Sequence, residues 1–301
     1  MSVCTDHHRL YIGNPHSLEK QFFKHIAALK EDDPLSQVLV LVENNLAGIY
    51  LRRRLALLGD SHCRVVFLTI SDLAYRLARS NPKAGQVKPL PRFTGDWLAA
   101  VTACRAETGY FGPLAHCPGF IQALKQLFQE LMEAGLVKLP DIPGSDPLRL
   151  KELQRLYLYY RERLGSFLSP DLAYRLARQE GLPEGVHLIV YGCHGFSRRQ
   201  RQFLQALFKK TQTTFYWQAT ALNLPAIQEV YSWLEVNRFT VHHLQAGAAR
   251  GNLHILQQQL FNTFLEPVNP VSADQGVQLI CSPDAVREVQ EISRGIMARV
   301  R

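Results

Sequence analysis

Short apolar runs rich in Val, Ile, Phe and Tyr alternate with stretches of helical spacing along much of the chain. Runs of this length, bounded by turn-forming or charged residues, predict buried strands. They lie at residues 9–12, 37–42, 64–69, 186–190, 213–217 and 277–281. Helical spacing separates the early runs, at 17–30, 44–59 and 71–80. The alternation predicts a parallel sheet with helices on both faces and right-handed crossovers.

The pattern changes between residues 92 and 182, where one helical segment follows another and no strand is predicted. Apolar residues recur at helical spacing in 118–136 and again in 150–168. Segments with Pro and Gly bracket the block on both sides. We therefore expect an all-helical insertion at 92–182, which divides an α/β domain into 1–91 and 183–265.

A final strand and amphipathic helix follow a linker that contains Pro. No further strand completes this unit, so we expect 277–301 to be the start of a second, truncated domain and the chain to be a fragment. An ordinary C-terminal helix is the alternative.

The composition, with 47% hydrophobic and 20% charged residues, is that of a folded protein. The start of the chain lacks the regions of a signal peptide, and no apolar run is long enough to cross a membrane. We predict a cytoplasmic protein without membrane contact. The six cysteines are scattered and the His pairs have no partners at ligand spacing, so no metal site is predicted.

The net charge of +8 and the pI near 9.2 favour a polyanionic partner, most often nucleic acid. A basic fold without such a partner is the alternative.

The turn after the first strand has the opening residue of a phosphate-binding loop but not its closing residues. In G-x-x-x-x-G-K-[ST], backbone N–H groups surround the phosphates and Lys contacts the terminal ones. Here Gly13 opens the frame and Ser17 lies within it, whereas Leu18, Glu19 and Lys20 replace the last three residues. Glu19 would repel a triphosphate, so the sequence predicts a degenerate nucleotide site. A structural strand–helix turn is the alternative.

The strand at 186–190 ends without the carboxylate that a magnesium ATPase needs. Asp at this place would hold the metal ion, but the chain has Tyr191 and Gly192. Since both halves of the machinery are missing together, we do not expect nucleotide hydrolysis. We expect no cofactor in this fragment, neither ATP nor Mg²⁺.

A helix is predicted to follow Ser197, which forms a capping box with Gln200. Arg198, Arg199 and Arg201 lie in its first turns, where the helix dipole disfavours cations. These arginines suggest a partner that carries phosphate, with a solvated face as the alternative.

The order of these segments resembles the B subunit of bacterial ATP-dependent helicase/deoxyribonucleases, the AddB or RexB type, which is related to UvrD-like helicases. The resemblance rests on YIGNPHSLEK, VLVLVENNLAGIYLRRRL, LTISDLAYRLA, LQRLYLYYRERL, HLIVYGCHGFSRRQRQFLQAL and VQLICSPDAVREVQEISRGIMARV. It implies a three-layer α/β/α parallel sheet of the P-loop NTPase (RecA-like) type, with 92–182 as a 1B-like insertion. The nuclease and iron–sulfur part of such proteins would lie outside this chain.

The resemblance also implies a surface that guides a DNA strand. By position, its candidate residues are Asn44, Asn45, Thr69, Ser71, Arg76, Arg198, Arg199, Trp217 and Gln218. Two alternatives apply: Trp217 is also interpretable as a core residue on a buried strand, and Asn44 and Asn45 as a helix cap.

We therefore expect a catalytically inactive helicase-like module that binds single-stranded or forked DNA in double-strand break repair and recombination. A motor-bearing A subunit of the helicase/nuclease complex would be its partner. The alternatives are an active ATP-binding subunit with an atypical phosphate loop and a structural scaffold that does not bind DNA.

Overall fold

A computed structural model describes residues 8–58, 63–81, 88, 91, 93–106, 109–140, 143–165, 167–218, 225–244 and 281–300. The strands are β1 (His8–Ile12), β2 (Gln37–Val42), β3 (Val65–Thr69), β4 (Val186–Tyr191), β5 (Thr213–Trp217) and β6 (Phe239–His243). All six strands are parallel and form one sheet in the order β3-β2-β4-β5-β1-β6. The predicted α/β class with a parallel sheet is therefore confirmed.

Ten α-helices lie in the described residues, together with a 3-10 helix at Gly112–Leu114. They are α1 (Pro15–Asp32), α2 (Asn45–Leu57), α3 (Ile70–Ser80), α4 (Thr94–Cys104), α5 (Pro118–Glu133), α6 (Pro147–Leu164), α7 (Pro170–Ala177), α8 (Arg198–Phe208), α9 (Pro225–Val236) and α10 (Ala285–Val300). The predicted strands at the first five places agree with β1 to β5 within one residue at each end. The sixth predicted strand, 277–281, lies almost wholly outside the described residues.

Helices cover both faces of the sheet because alternate strand residues point to opposite sides. On one face, α1 and α2 pack on Val38, Val40 and Ile189. On the other face, α3, α7, α8 and α9 pack on Leu39, Leu188 and their neighbours. The central strands β2, β4 and β5 are buried almost throughout, which explains why they appear in the sequence as continuous apolar runs.

Helices α4, α5 and α6 lie between β3 and β4 in the chain and share a separate hydrophobic cluster. Its centre consists of Phe128, Tyr157 and Tyr160, all of which are buried. The aromatic rings of Tyr157 and Tyr160 lie 5.3 and 5.1 Å from that of Phe128. The two predicted helical segments in this block correspond to α5 and α6.

Candidate functional site

A ligand site is expected at the carboxyl edge of the sheet, because ligands of open parallel sheets bind there. The ends of β1 and β4, where the sequence predicts the two halves of a nucleotide site, open to this edge. One strand, β5, lies between them.

The connection between β1 and α1 consists only of Gly13 and Asn14. The Asn14 side chain caps α1 and accepts a hydrogen bond from the Ser17 N–H at 2.8 Å. Pro15 stands at the first helical position and has no N–H to offer. A connection this short, with one amide capped and one missing, does not surround a phosphate with N–H donors.

The space above Gly13 is closed by the residue that follows β6. Leu244 donates its N–H to the Ile12 carbonyl at 2.8 Å. A Cβ added to Gly13 would lie 3.0 Å from the Leu244 Cβ. Leu18, at the place of the second loop glycine, is buried against the same face of the sheet. Apolar packing therefore fills the region where a phosphate loop would open.

Glu19, which the sequence motif aligns with a phosphate-binding lysine, is held by two residues of α2. The Tyr50 hydroxyl donates to one carboxylate oxygen at 2.8 Å, and the Arg54 Nε donates to the other at 2.9 Å. The Glu19 side chain is only 17% exposed. Lys20, one residue further along α1, is exposed. The site therefore presents a carboxylate where a triphosphate would need a cation.

Tyr191 ends β4, where the sequence predicts the position of a lost metal-holding Asp. Its ring lies 4.9 Å from that of Phe22 in α1. Burial, followed by the charge of nearby Glu19, raises the pKa of Tyr191 to about 12. The side chain is therefore a neutral phenol at physiological pH, and magnesium prefers charged oxygen ligands. Taken together, Gly13, Glu19 and Tyr191 do not fit the phosphates and metal of a magnesium nucleotide.

A second concave region lies at the carboxyl end of β3. The groove has a volume of about 480 Å³ and is lined by Asn45, Phe67, Leu68, Asp72, Tyr75, Arg76 and Arg79. It brings together two of the predicted DNA-binding residues, Asn45 and Arg76. Sequence reasoning missed Tyr75 and Arg79, although Arg79 follows Arg76 at the i+3 spacing that places two side chains on one helix face.

Three of the other candidates have local structural partners. Asn44 is the N-cap of α2 and accepts a hydrogen bond from the Ala47 N–H at 3.0 Å, as one alternative predicted. Thr69 forms a capping box with Asp72 at the start of α3. The Ser71 hydroxyl lies 3.0 Å from the Tyr174 hydroxyl in α7. Asn44 and Thr69 therefore cap helices, and Ser71 contributes to the packing of α3 on α7.

The arginines at the start of α8 do not share one role, so the prediction of a common phosphate-binding role needs correction. Arg199 lies 2.6 Å from the Asp171 carboxylate, and both side chains are largely buried. Arg201 contacts Glu229 of α9, also at 2.6 Å. Arg198 is exposed. Only Arg198 remains a candidate for DNA contact, because the other two join α8 to α7 and α9.

Trp217 is only 1% exposed and packs in the core with β5. The expectation that its ring stacks on a DNA base is therefore wrong, and the core alternative is correct: a buried ring offers no free face to a base. Gln218, the next residue, is partly exposed at the strand end. Gln218 stays a candidate.

No group of three or more His, Cys, Asp or Glu side chains in the described residues is arranged to hold a metal ion. None of the helices in the described ranges has the length and apolar character needed to span a bilayer.

No protein-family model matches the chain. The chain is similar to the B subunit of the ATP-dependent helicase/deoxyribonuclease of Moorella thermoacetica, with 27% identity over 225 residues. The aligned part is 66% of this chain and 19% of that protein, so the chain spans about a fifth of the length of the relative. This weak similarity supports, at most, a distant relationship to the family that the sequence motifs resemble.

Proposed function

We propose that this chain is a catalytically inactive helicase-like module that binds DNA within a helicase/nuclease complex, with a role in double-strand break repair and recombination. The similarity to one subunit of a helicase/deoxyribonuclease supports a role related to DNA repair. The parallel sheet with helices on both faces is compatible with a RecA-like fold of the P-loop NTPase type. In this proposal β1 is the phosphate-loop strand and β4 is the strand of the second ATPase motif, as in UvrD-like helicases.

The arrangement around Glu19 is the single observation that carries the proposal of inactivity. Glu19 takes the place of the phosphate-binding lysine, and Tyr50 and Arg54 hold its carboxylate in position. At the end of β4, Tyr191 takes the place of the metal-holding Asp and packs against Phe22 of α1. A lysine that neutralises phosphate and an Asp that holds magnesium are the parts that such catalysis requires. Both places have instead acquired a stable internal contact.

The groove at the end of β3 supports the proposal of DNA binding. Arg76 and Arg79 are exposed there next to Tyr75 and Asn45. Arginine binds phosphate, a tyrosine ring can stack on a base, and an amide can bond to either. The net charge of +8 adds a general attraction for a polyanion.

A module of this kind would depend on a partner. We propose that a motor-bearing subunit supplies ATP-driven movement while this chain keeps a groove that guides the strand. The complex would act in the cytoplasm on single-stranded or forked DNA. The domain division that we propose is an α/β domain at 1–91 and 183–265, the insertion at 92–182 and the start of a second helicase-like domain at 277–301.

Calorimetric titration with Mg-ATP tests the proposed inactivity. We expect no saturable binding by the wild-type chain, and the same flat titration for Glu19→Gln, which removes the repelling charge together with its ion pair to Arg54. Saturable binding in the micromolar range that is lost on Gly13→Val would contradict the proposal. That outcome would favour an ATP-binding subunit with an atypical loop.

Fluorescence anisotropy with single-stranded and forked oligonucleotides at increasing salt tests DNA binding. We expect binding that weakens steeply with salt, because phosphate contacts release counterions. The variant R76Q/R79Q should lose about tenfold in affinity at low salt. The control R175Q/K209Q removes the same charge from exposed positions on α7 and after α8, and it should lose much less. Absence of binding at low salt would favour the scaffold alternative.

A further inference from the structure

Three side chains of the helical insertion form a cluster that the proposed groove does not include. Arg105 follows α4, while Tyr159 and Arg163 lie on α6. The guanidinium carbons of Arg105 and Arg163 each lie 5.2 Å from the centre of the Tyr159 ring. The two like charges are therefore within about 10 Å of each other, a separation at which they repel. We call these residues the Arg105–Tyr159–Arg163 cluster.

Contacts within the cluster and between α4 and α6 hold it in place. Arg155 donates to the backbone carbonyl of Arg105 at 2.8 Å and thereby ties the end of α4 to α6. The same guanidinium pairs with Glu152 at 2.6 Å. Hydrogen bonding, chiefly to Arg105, lowers the pKa of the Tyr159 phenol. Both arginines therefore contact the same tyrosine side chain while they stay exposed at the surface.

The charges of the cluster are not neutralised by the part of the chain that the structure describes. Within the described residues, no carboxylate lies at ion-pair distance from Arg105 or Arg163. Helix α6 carries five Lys or Arg against two Glu, and one of these, Glu152, is taken by Arg155. Both arginines are exposed. An anion bound between them would relieve their repulsion and gain charge-assisted hydrogen bonds.

We propose that the Arg105–Tyr159–Arg163 cluster is a second DNA contact, which binds the phosphodiester backbone on the surface of the helical insertion. The inference rests on the DNA binding proposed above and adds a place where the strand is held. Guanidinium groups match the geometry of phosphate oxygens. Since guanidinium groups already lie against the Tyr159 ring, the cluster positions the strand without reading its bases.

The test compares R105Q/R163Q with the charge-matched control R175Q/K209Q in anisotropy titrations on the same labelled single-stranded and forked oligonucleotides. We expect R105Q/R163Q to lose about tenfold in affinity at low salt. The slope of log K against log salt should fall by about 1 to 2, since one or two phosphate contacts are lost. The control should keep the wild-type slope. Unchanged melting temperatures would show that both variants fold.

Two further variants test the role of the Tyr159 ring and of the guanidinium shape separately from the positive charge. Tyr159→Leu keeps both charges but removes the ring, and it should lose about threefold in affinity. R105K/R163K should recover only part of the wild-type affinity, because lysine lacks the bidentate fork.

The outcomes that overturn the inference are distinct from those that overturn the proposed function. If the wild-type chain binds DNA and R105Q/R163Q behaves like R175Q/K209Q, the proposed DNA binding is retained and the assignment of the cluster is wrong. If the wild-type chain binds no DNA at low salt, both are wrong. A loss confined to binding of a labelled polyglutamate peptide, with DNA affinity retained, would assign the cluster to an acidic protein instead.

Discussion

Arg198 and Arg199 are adjacent in the sequence, yet they have different surroundings. The Arg199 guanidinium packs against Gly135, where an added Cβ would lie 2.6 Å from its Nε. On its other side Arg199 meets the buried carboxylate of Asp171. The paired atoms are close but are not aligned as a hydrogen bond, so the attraction between them is chiefly Coulombic. Arg198, at the preceding position of the helix, is exposed.

Replacement of Arg199 by Ala should therefore destabilise the protein, whereas Arg198→Ala should not. Loss of Arg199 leaves Asp171 buried without its partner, at a cost of about 3 kcal/mol. Urea denaturation of the two variants measures the difference. Equal stability of R198A and R199A would contradict the structural role of Arg199.

His25 provides a pH dependence that belongs to a single residue. Its Nδ1 lies 2.9 Å from the Tyr216 hydroxyl. Burial, together with the charges of Arg9 and His187, lowers the pKa of His25 from 6.5 to about 4. The unfolded chain then binds more protons than the folded one between these two values. Stability contributed by the neutral ring is therefore complete above pH 6.5 and is lost as the pH falls towards 4.

We expect this group to remove about 2 kcal/mol of stability between pH 7 and pH 5. His25→Gln keeps a polar partner for Tyr216 and should make the free energy of unfolding less dependent on pH. His16→Gln, on the exposed first turn of α1, is the control and should keep the wild-type dependence. Urea denaturation at the two pH values measures the effect. The same pH-dependent loss in H25Q would show that other groups cause it.

At the scale of elements, the short connection between β1 and α1 limits phosphate binding more than the identity of its residues does. Two residues connect strand and helix, and Asn14 caps the helix at once. Leu244 closes the space above Gly13. A longer, glycine-lined loop would be needed to turn several N–H groups towards a phosphate.

Introducing the consensus residues of a phosphate-binding loop should therefore not produce nucleotide binding. We expect no saturable ATP binding for L18G/E19K/K20T, measured by calorimetry. Because Leu18 is buried, the triple variant should also be less stable, by about 3 kcal/mol. E19K/K20T keeps the buried Leu18 and should therefore avoid this loss of stability. If this variant also fails to bind ATP, misfolding is not the cause. Micromolar ATP binding by either variant would show that the loop can open and that residue identity alone prevents ATP binding in the wild-type chain.

Strand β6 shows where sequence patterns fail at this scale. Phe239–His243 was not predicted, because its residues are short of apolar character and only Phe239 is buried. The strand lies at the sheet edge and is held by backbone pairing to β1. Such pairing leaves little trace in the sequence, whereas burial on both faces made β2, β4 and β5 recognisable.

At the scale of the whole molecule, helices α4, α5 and α6, which form the proposed insertion, share a hydrophobic cluster apart from the two that cover the sheet. Phe128 is at its centre and is 0% exposed. Units with separate cores can open separately, with different free energies.

Phe128→Ala should loosen the insertion without loosening the sheet. Large cavities of this kind cost about 3 kcal/mol or more, which corresponds to about 100-fold faster amide exchange. Hydrogen exchange should show this acceleration in α4, α5 and α6, with β2 and β4 unchanged. Phe203→Ala, in the cluster under the sheet, is the matched control and should accelerate the strands instead. Equal acceleration of insertion and sheet by F128A would mean that the two unfold as one unit.

The chain by itself determined the class of fold, five of the six strands that the structure describes and the capping box at Ser197. Local periodicity and residue type are sufficient for these features, because each depends on neighbours in the chain. Tertiary structure decided which candidates are accessible. Trp217 is in the core, Arg199 is paired, and Glu19 is held by α2, a contact 31 and 35 residues away. Side-chain partners across such separations depend on how the helices pack on the sheet, and no local pattern encodes that packing.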